Sequence, residues 1–360
     1  MTILRPAALP RALPWRSIGR LVITIALAVA AAALCVRLRT PLPWMIGPLL
    51  CTALLCMAGA PLAASTRLRN GAQWIIGTAL GLYFTPVVTA QMLGLAPLML
   101  LGAAWALLIG HLFYRLLMAC GAGVDPATAY FSSLIGGASE MAVFAEQHGA
   151  RVDLVAAAHS LRVLIVVVTI PFGYKFAGIH GDMPDSFGAA SQVNLAGLAL
   201  LMTLTALGGL ALKKLRQPNP WVLGALAVAA VFTASGVNFS ALPGWMSAGA
   251  QLLVGVSLGS RFTPAFLHTA PRWLAAVALG SVAMVLGSGA FAWVMARLAG
   301  LDPATVYLGN SPGGIAEMCI TAKVLGLGVA LVTAFHVVRY VVVLMLAAPI
   351  YTRWVAPTST

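Results

Sequence analysis

One run of residues occurs twice in this chain, and it is built around a glycine pair that an uninterrupted helix would not keep. Asp125-Pro126-Ala127-Thr128, Tyr130, Gly136-Gly137, Glu140-Met141, His159 and Arg162 form the first copy. At a constant spacing of 177 they return as Asp302-Pro303-Ala304-Thr305, Tyr307, Gly313-Gly314, Glu317-Met318, His336 and Arg339. Each glycine inside a helix costs about 1 kcal/mol against alanine. A pair of them in an apolar segment, with a carboxylate three residues on, predicts a helix broken inside a membrane, with polar groups gathered at the break.

The membrane follows from composition. Of 360 residues, 61% are hydrophobic and 8% charged, which predicts an all-α polytopic integral membrane protein. At about 20 residues per span there is room for roughly a dozen segments. The net charge of +13 is scattered over short loops, where positive charge orients a membrane protein; it does not mark a nucleic-acid partner. Cys35, Cys51, Cys56, Cys120 and Cys319 lack CxxC spacing and read as small apolar core residues, so no metal is expected. Arg5, Arg11, Arg16 and Arg20 ahead of the first apolar run resemble a signal peptide. That run has a partner around Leu195 to Leu212, however, so it is expected to stay as a first span with a cytoplasmic amino terminus.

The repeat divides the chain into an arm (1–19), a first membrane repeat (20–172), a linker loop with Asp182 and Asp185 (173–193), a second repeat (194–350) and a tail (351–360). Six segments are expected in the first repeat, at about 20–36, 43–59, 71–86, 94–119, 126–148 and 152–172. Their partners lie at about 194–212, 220–236, 247–264, 273–298, 303–325 and 328–350. Pro41-Leu42-Pro43-Trp44 with Gly47 is echoed by Pro218-Asn219-Pro220-Trp221 with Gly224. Gly77 and Gly81 are echoed by Gly255 and Gly259, each pair a small-residue face for close helix packing. If all twelve segments span, Lys and Arg outside the helices split ten against nine. If the glycine-broken segments re-enter instead, leaving ten spans, the split is fourteen inside to five outside, with Arg162 and Arg339 excluded as intramembrane. Five spans per half would set the repeats in opposite orientations.

Glu140 and Glu317 are the candidate proton or cation groups, since an ionisable group at membrane depth is costly unless it serves a function. The bland alternative is that each caps its own half-helix. Arg162 and Arg339 need anions, either the neighbouring Glu or a substrate, and His159 and His336 could relay protons. Gly136, Gly137, Gly313, Gly314 and Asn310 complete the candidate site, with Gln73 and Gln251 secondary. Asp125 and Asp302 precede proline at a helix start and read as caps. The halves are not identical. Ser133 and Ile135 stand opposite Asn310 and Pro312, so equal roles in binding are not expected.

With these residues in view the chain resembles the membrane AbrB-duplication family, through Pro-Leu-Pro-Trp-Met-Ile-Gly at 41–47, Gly-Thr-Ala-Leu-Gly-Leu at 77–82 and Ser-Pro-Gly-Gly-Ile-Ala-Glu-Met at 311–318. Ile135 departs from the proline usual before the glycines. Members of that family carry labels of gene regulator and ammonia monooxygenase. The residues support neither, for want of a metal-ligand cluster and of a soluble basic module. The expectation is an inner-membrane secondary transporter of a small anionic or amine solute, with proton coupling left open, no cofactor and no catalysis. The alternative is a membrane-embedded sensor acting on gene expression through a partner, and a membrane monooxygenase ranks below both. The expected partners are the lipid bilayer and a small solute; self-association is left open. Opposite orientation of the halves predicts that cysteines placed at Arg39 and Arg216 label from opposite faces of the membrane; labelling from one face would restore twelve plain spans.

Overall fold

In the computed structural model, which describes residues 14–120, 123–181, 192–264, 266 and 271–356, every regular element among the described residues is helical. The first half contains α1 (Pro14–Arg37), α2 (Pro43–Met57), α3 (Thr66–Gly81), α4 (Pro86–Gly94), α5 (Ala96–Ala119), α6 (Pro126–Ser133), α7 (Ala138–Gln147) and α8 (Val152–Phe176). The second contains α9 (Leu195–Lys214), α10 (Pro220–Ala234), α11 (Gly244–Gly259), α12 (Pro271–Ala299), α13 (Pro303–Asn310), α14 (Ile315–Val324) and α15 (Val329–Ile350), then a π-helical turn (Tyr351–Val355). Asp182, Asp185 and most of the expected arm lie outside the described residues.

Among the described residues, six helices (α1, α5, α8, α9, α12 and α15) are long and apolar enough to cross a membrane. The 15-residue helices α2 and α10 are apolar but span only about 22 Å at 1.5 Å per residue, short of a hydrocarbon core of about 30 Å. Several expected boundaries shift. The third segment starts at Thr66 and ends at Gly81, and α4 follows it at 86°, a helix the apolar pattern did not announce. Its local cause is plain: Thr85 Oγ1 accepts from Val88 N at 3.4 Å, and Pro86 occupies the first turn, where no donor is lost. The helix α8 continues to Phe176, into the expected linker, and the expected tail begins with a buried Tyr351.

The interior is assembled across the halves. The short helices α2 and α10 lie against α11 and α3 respectively, while α5 packs on α15 and α12 on α8. The glycine faces make the first two contacts possible. A Cβ on Gly77 or Gly81 would fall on the backbone of Val222 or Ala230 in α10, and one on Gly255 or Gly259 on that of Met45 or Leu49 in α2. Without side chains the backbones approach closely, where packing alone drives helix association. Gly81→Val should therefore overpack the α3–α10 contact and cost about 1–3 kcal/mol. Gly71→Val, which meets open space, should leave the melting temperature of the detergent-solubilised protein unchanged, and equal melting of both variants would remove this packing role.

Candidate functional site: two broken helices around one cavity

Both glycine-centred segments are broken, and the same small set of interactions shapes each break. Asp125 caps α6, its Oδ1 accepting from Thr128 N at 2.8 Å, and Asp302 caps α13, its Oδ2 accepting from Thr305 N at 2.8 Å. The capping role expected of both aspartates is what the structure has. The threonine hydroxyls then accept from Arg151 N at 2.8 Å and Gly328 N at 3.2 Å, fastening the start of α8 to α6 and that of α15 to α13. Each helix runs eight residues before the backbone turns extended, at Leu134 (φ −65°, ψ 143°) and Ser311 (φ −64°, ψ 148°). The second half-helices start at Ala138 and Ile315, on Gly137 and Gly314, with no side-chain cap.

A helix that ends inside a protein leaves carbonyls without partners. Here α8 and α15 supply the donors. His159 Nε2 bonds Phe131 O at 2.9 Å, and Arg162 Nη1 donates to Leu134 O at 2.8 Å. In the second half His336 Nε2 bonds Leu308 O at 3.0 Å, while Arg339 donates to Ser311 O at 2.5 Å and Gly313 O at 2.7 Å. Each arginine also donates through Nη2 to the Nδ1 of its histidine, at 2.8 Å and 2.7 Å. Because a guanidinium only donates and a carbonyl only accepts, both imidazoles are neutral with the proton on Nε2. A second ring proton would point at the guanidinium. The expected proton-relay role of His159 and His336 therefore does not fit this arrangement. Among the described residues the expected ion pairs are absent too: Arg162 and Arg339 hold carbonyls at the negative ends of α6 and α13, not the carboxylates of Glu140 and Glu317.

The Gly-Gly-x-x-Glu-Met pattern has a direct steric reading. A Cβ on Gly137 would collide with the Glu140 carboxylate, and one on Gly314 with that of Glu317. Each Glu thus folds back over the glycine that starts its own half-helix, at the positive end of the dipole. The first glycine of each pair lies under a methionine: a Cβ on Gly136 would stand 2.7 Å from Met141 Cε, and one on Gly313 2.5 Å from Met318 Cγ. Neither pair needs a left-handed backbone. The glycines are there for room.

The two breaks meet at a cavity of about 410 Å³. Gly136, Gly137, Glu140, His159, Arg162, Gly313, Gly314, Glu317 and Gln73 all border it. His336 and Arg339 do not; they stand behind the second break. Gln251 does not border it either, and Asn310 is buried away from it, donating to Val306 O at 2.9 Å with its Oδ1 toward Gly102 of α5. Two wider recesses adjoin the cavity on the α7 side. One, of about 790 Å³, shares Ser139, Glu140 and Tyr340 with it; the other, of about 460 Å³, shares Ala138, Ser139 and Arg261. Sequence reasoning missed Arg69, Lys213, Trp221, Arg261 and Tyr340, which also line the cavity. The signal it followed was recurrence of polar and glycine residues at the repeat spacing; Trp221 does recur, as Trp44, but reads with its prolines as the start of a span. Arg261 stands opposite Tyr83 and reads as a loop charge.

The family model described as transition state regulatory protein AbrB matches residues 44–356 of the chain that builds this site. The chain is 27% identical over 335 residues to a Bacillus subtilis protein named "Uncharacterized protein YhjN", covering 86% of each chain. It is 25% identical over 325 residues to an Escherichia coli protein named "Putative regulator AbrB", covering 88% of this chain and 90% of that one.

The role of the arginines can be measured. Arg162→Gln strands one carbonyl and a histidine nitrogen, whereas Arg339→Gln strands two carbonyls and a nitrogen. Each buried acceptor left unpaired costs about 1–3 kcal/mol. Both variants should melt below wild type, Arg339→Gln further below. Wild-type melting of both would mean that the guanidiniums do not hold the breaks.

Proposed function

The chain belongs to the AbrB family, and from its all-helical membrane fold and the cavity between its broken helices we propose that it is a secondary transporter of a small charged solute. The observation that carries this reading is the convergence of both breaks, with Glu140 and Glu317, on one cavity that adjoins recesses on the α7 side. Half-helices that start at membrane depth present backbone N–H groups to a solute, an arrangement suited to binding and release without chemical turnover. Glu140 and Glu317 are the groups that would exchange protons or cations, and the cytoplasmic membrane is the setting. Glu140 is half-buried beside the recesses and Glu317 is nearly buried, so the two carboxylates differ in access to bulk water.

The opposite orientation of the halves belongs to the same proposal and draws support from reciprocal contacts. Tyr130, early in α6, lies 5.6 Å from Tyr351 beyond the end of α15, and donates to Ala347 O at 3.0 Å. Its counterpart Tyr307, in α13, stacks at 5.9 Å on Tyr174 near the end of α8, and Tyr174 donates to Ala304 O at 2.7 Å. Each half thus lays the start of its broken segment against the end of the other half's last helix.

A second reading, a membrane sensor working through a partner, draws on the name of the Escherichia coli relative. Uptake by purified protein in liposomes separates the two. A panel of small anions and amines, with and without a pH gradient, should include a solute that accumulates. Glu140→Gln and Glu317→Gln should slow its entry about tenfold or more, the equivalent of ~1.4 kcal/mol. No uptake of any member by protein that is folded and correctly oriented would favour the sensor.

A further inference from the structure

We propose that the cavity between the two breaks takes an organic carboxylate, held by Arg69 and Arg261 with its apolar body against Trp221 and Tyr340. This rests on the transporter reading for what happens after binding, but not for binding itself.

The argument is one of charge left over. Four cationic side chains border the cavity (Arg69, Arg162, Lys213 and Arg261) against two carboxylates. Arg162 is engaged by Leu134 O and His159, and the Lys213 ammonium sits 6.0 Å from the Trp221 ring centroid, a cation–π distance. Each Glu is folded over its own helix start. That leaves Arg69 and Arg261. Among the described residues no hydrogen bond or ion pair engages either guanidinium, the one ion pair being Arg151 with Asp153. Arg69 Nε is buried without a partner, and Arg261 lies within electrostatic reach of Arg69, Glu140 and Glu317 at once. Two guanidiniums bordering one cavity within a membrane protein call for an anion, and their forked donors suit a carboxylate.

The rest of the lining is consistent with that ligand. Tyr340, 7% exposed, borders the cavity with its hydroxyl beside the Glu140 carboxylate, so its ring is the part that can line an apolar body. The helix starts at Gly137 and Gly314 border the same space, each covered by the carboxylate of its own Glu, so the guanidiniums are the donors left for a ligand. Trp221, Val163 and Leu258 supply apolar wall. The volume of about 410 Å³ lies in the range of small-molecule sites.

An isosteric series tests the charge. Benzoate, benzylamine and benzamide, together with pyruvate, succinate and inorganic phosphate, are titrated against the whole protein in nanodiscs, with melting temperature as readout. One set of discs contains phosphatidylcholine only and another adds phosphatidylglycerol. At least one of the carboxylates should raise the melting temperature in phosphatidylcholine, while benzylamine and benzamide should not. Arg69→Gln and Arg261→Gln should each weaken that carboxylate roughly thirtyfold or more, the low end for removing one side of a buried charged contact. Arg261→Lys should retain part of it, and it serves as the folded control if the glutamine variant does not insert.

Stabilisation by benzylamine in place of carboxylates, no response to any carboxylate, or carboxylate binding unchanged in both glutamine variants would overturn the proposal. Stabilisation by phosphatidylglycerol with none by carboxylates would assign the guanidiniums to a lipid headgroup and overturn it too. Uptake in liposomes keeps the two readings apart. A carboxylate that binds but never enters leaves this site standing and removes transport. Uptake of an amine at wild-type rate in Arg261→Gln leaves transport standing and removes the carboxylate.

Discussion

What this structure depends on is the supply of hydrogen-bond donors to carbonyls that a broken helix leaves behind. A helix that stops inside a protein is sustained only where its last carbonyls find a donor, from the protein or from water in a cavity. The pairs His159 with Arg162 and His336 with Arg339 are those partners, set at i, i+3 on the helix that follows each break. Once the carbonyls are met, the chain can leave the helix for a few residues and restart it. The restart creates two positive helix ends, each covered by its own glutamate, that border one cavity. Binding of the kind proposed depends on both breaks being sustained in this way.

The steric logic of the motif is equally simple. One glycine in each pair makes room for a methionine that packs beneath the break, and the other makes room for a carboxylate that bends back over it. The order Gly-Gly-x-x-Glu-Met is therefore a packing instruction as much as a chemical one. It accounts for the carboxylate three residues after the second glycine: at the third helical position a glutamate can reach the start of its own helix.

Much of this is legible in the amino-acid sequence. The breaks, the aspartate caps and the close-packing glycine faces are duplicated side-chain patterns, and each has one dominant physical meaning. The parts that are not legible fail for identifiable reasons. An arginine in an apolar segment signals that a partner exists, but not whether that partner is a carboxylate or a carbonyl. Here it is a carbonyl 28 residues earlier. Asn310 reads in sequence as a binding amide, yet the turn of α13 that carries it faces α5. Arg69 and Arg261 carry no repeat signal, and a site that binds one asymmetric solute has no reason to recur in both halves. The short helix α4 escapes because nine residues are too few for a period to declare itself.

The separation in sequence between partners has a bearing on how such a chain is made. The polar bonds of each break join residues 28 or 26 positions apart, within one half. The apolar contacts that close the interior join α2 to α11 and α3 to α10, across the halves. During synthesis, the costly groups of the first half can be satisfied as soon as α8 emerges, before any of the second half exists. The glycine faces of α2 and α3, by contrast, meet their mates only once α11 and α10 exist. The carbonyls of each break are thus met locally, while the helix faces, and the tyrosines that tie each broken segment to the other half, close only over long separations in the chain.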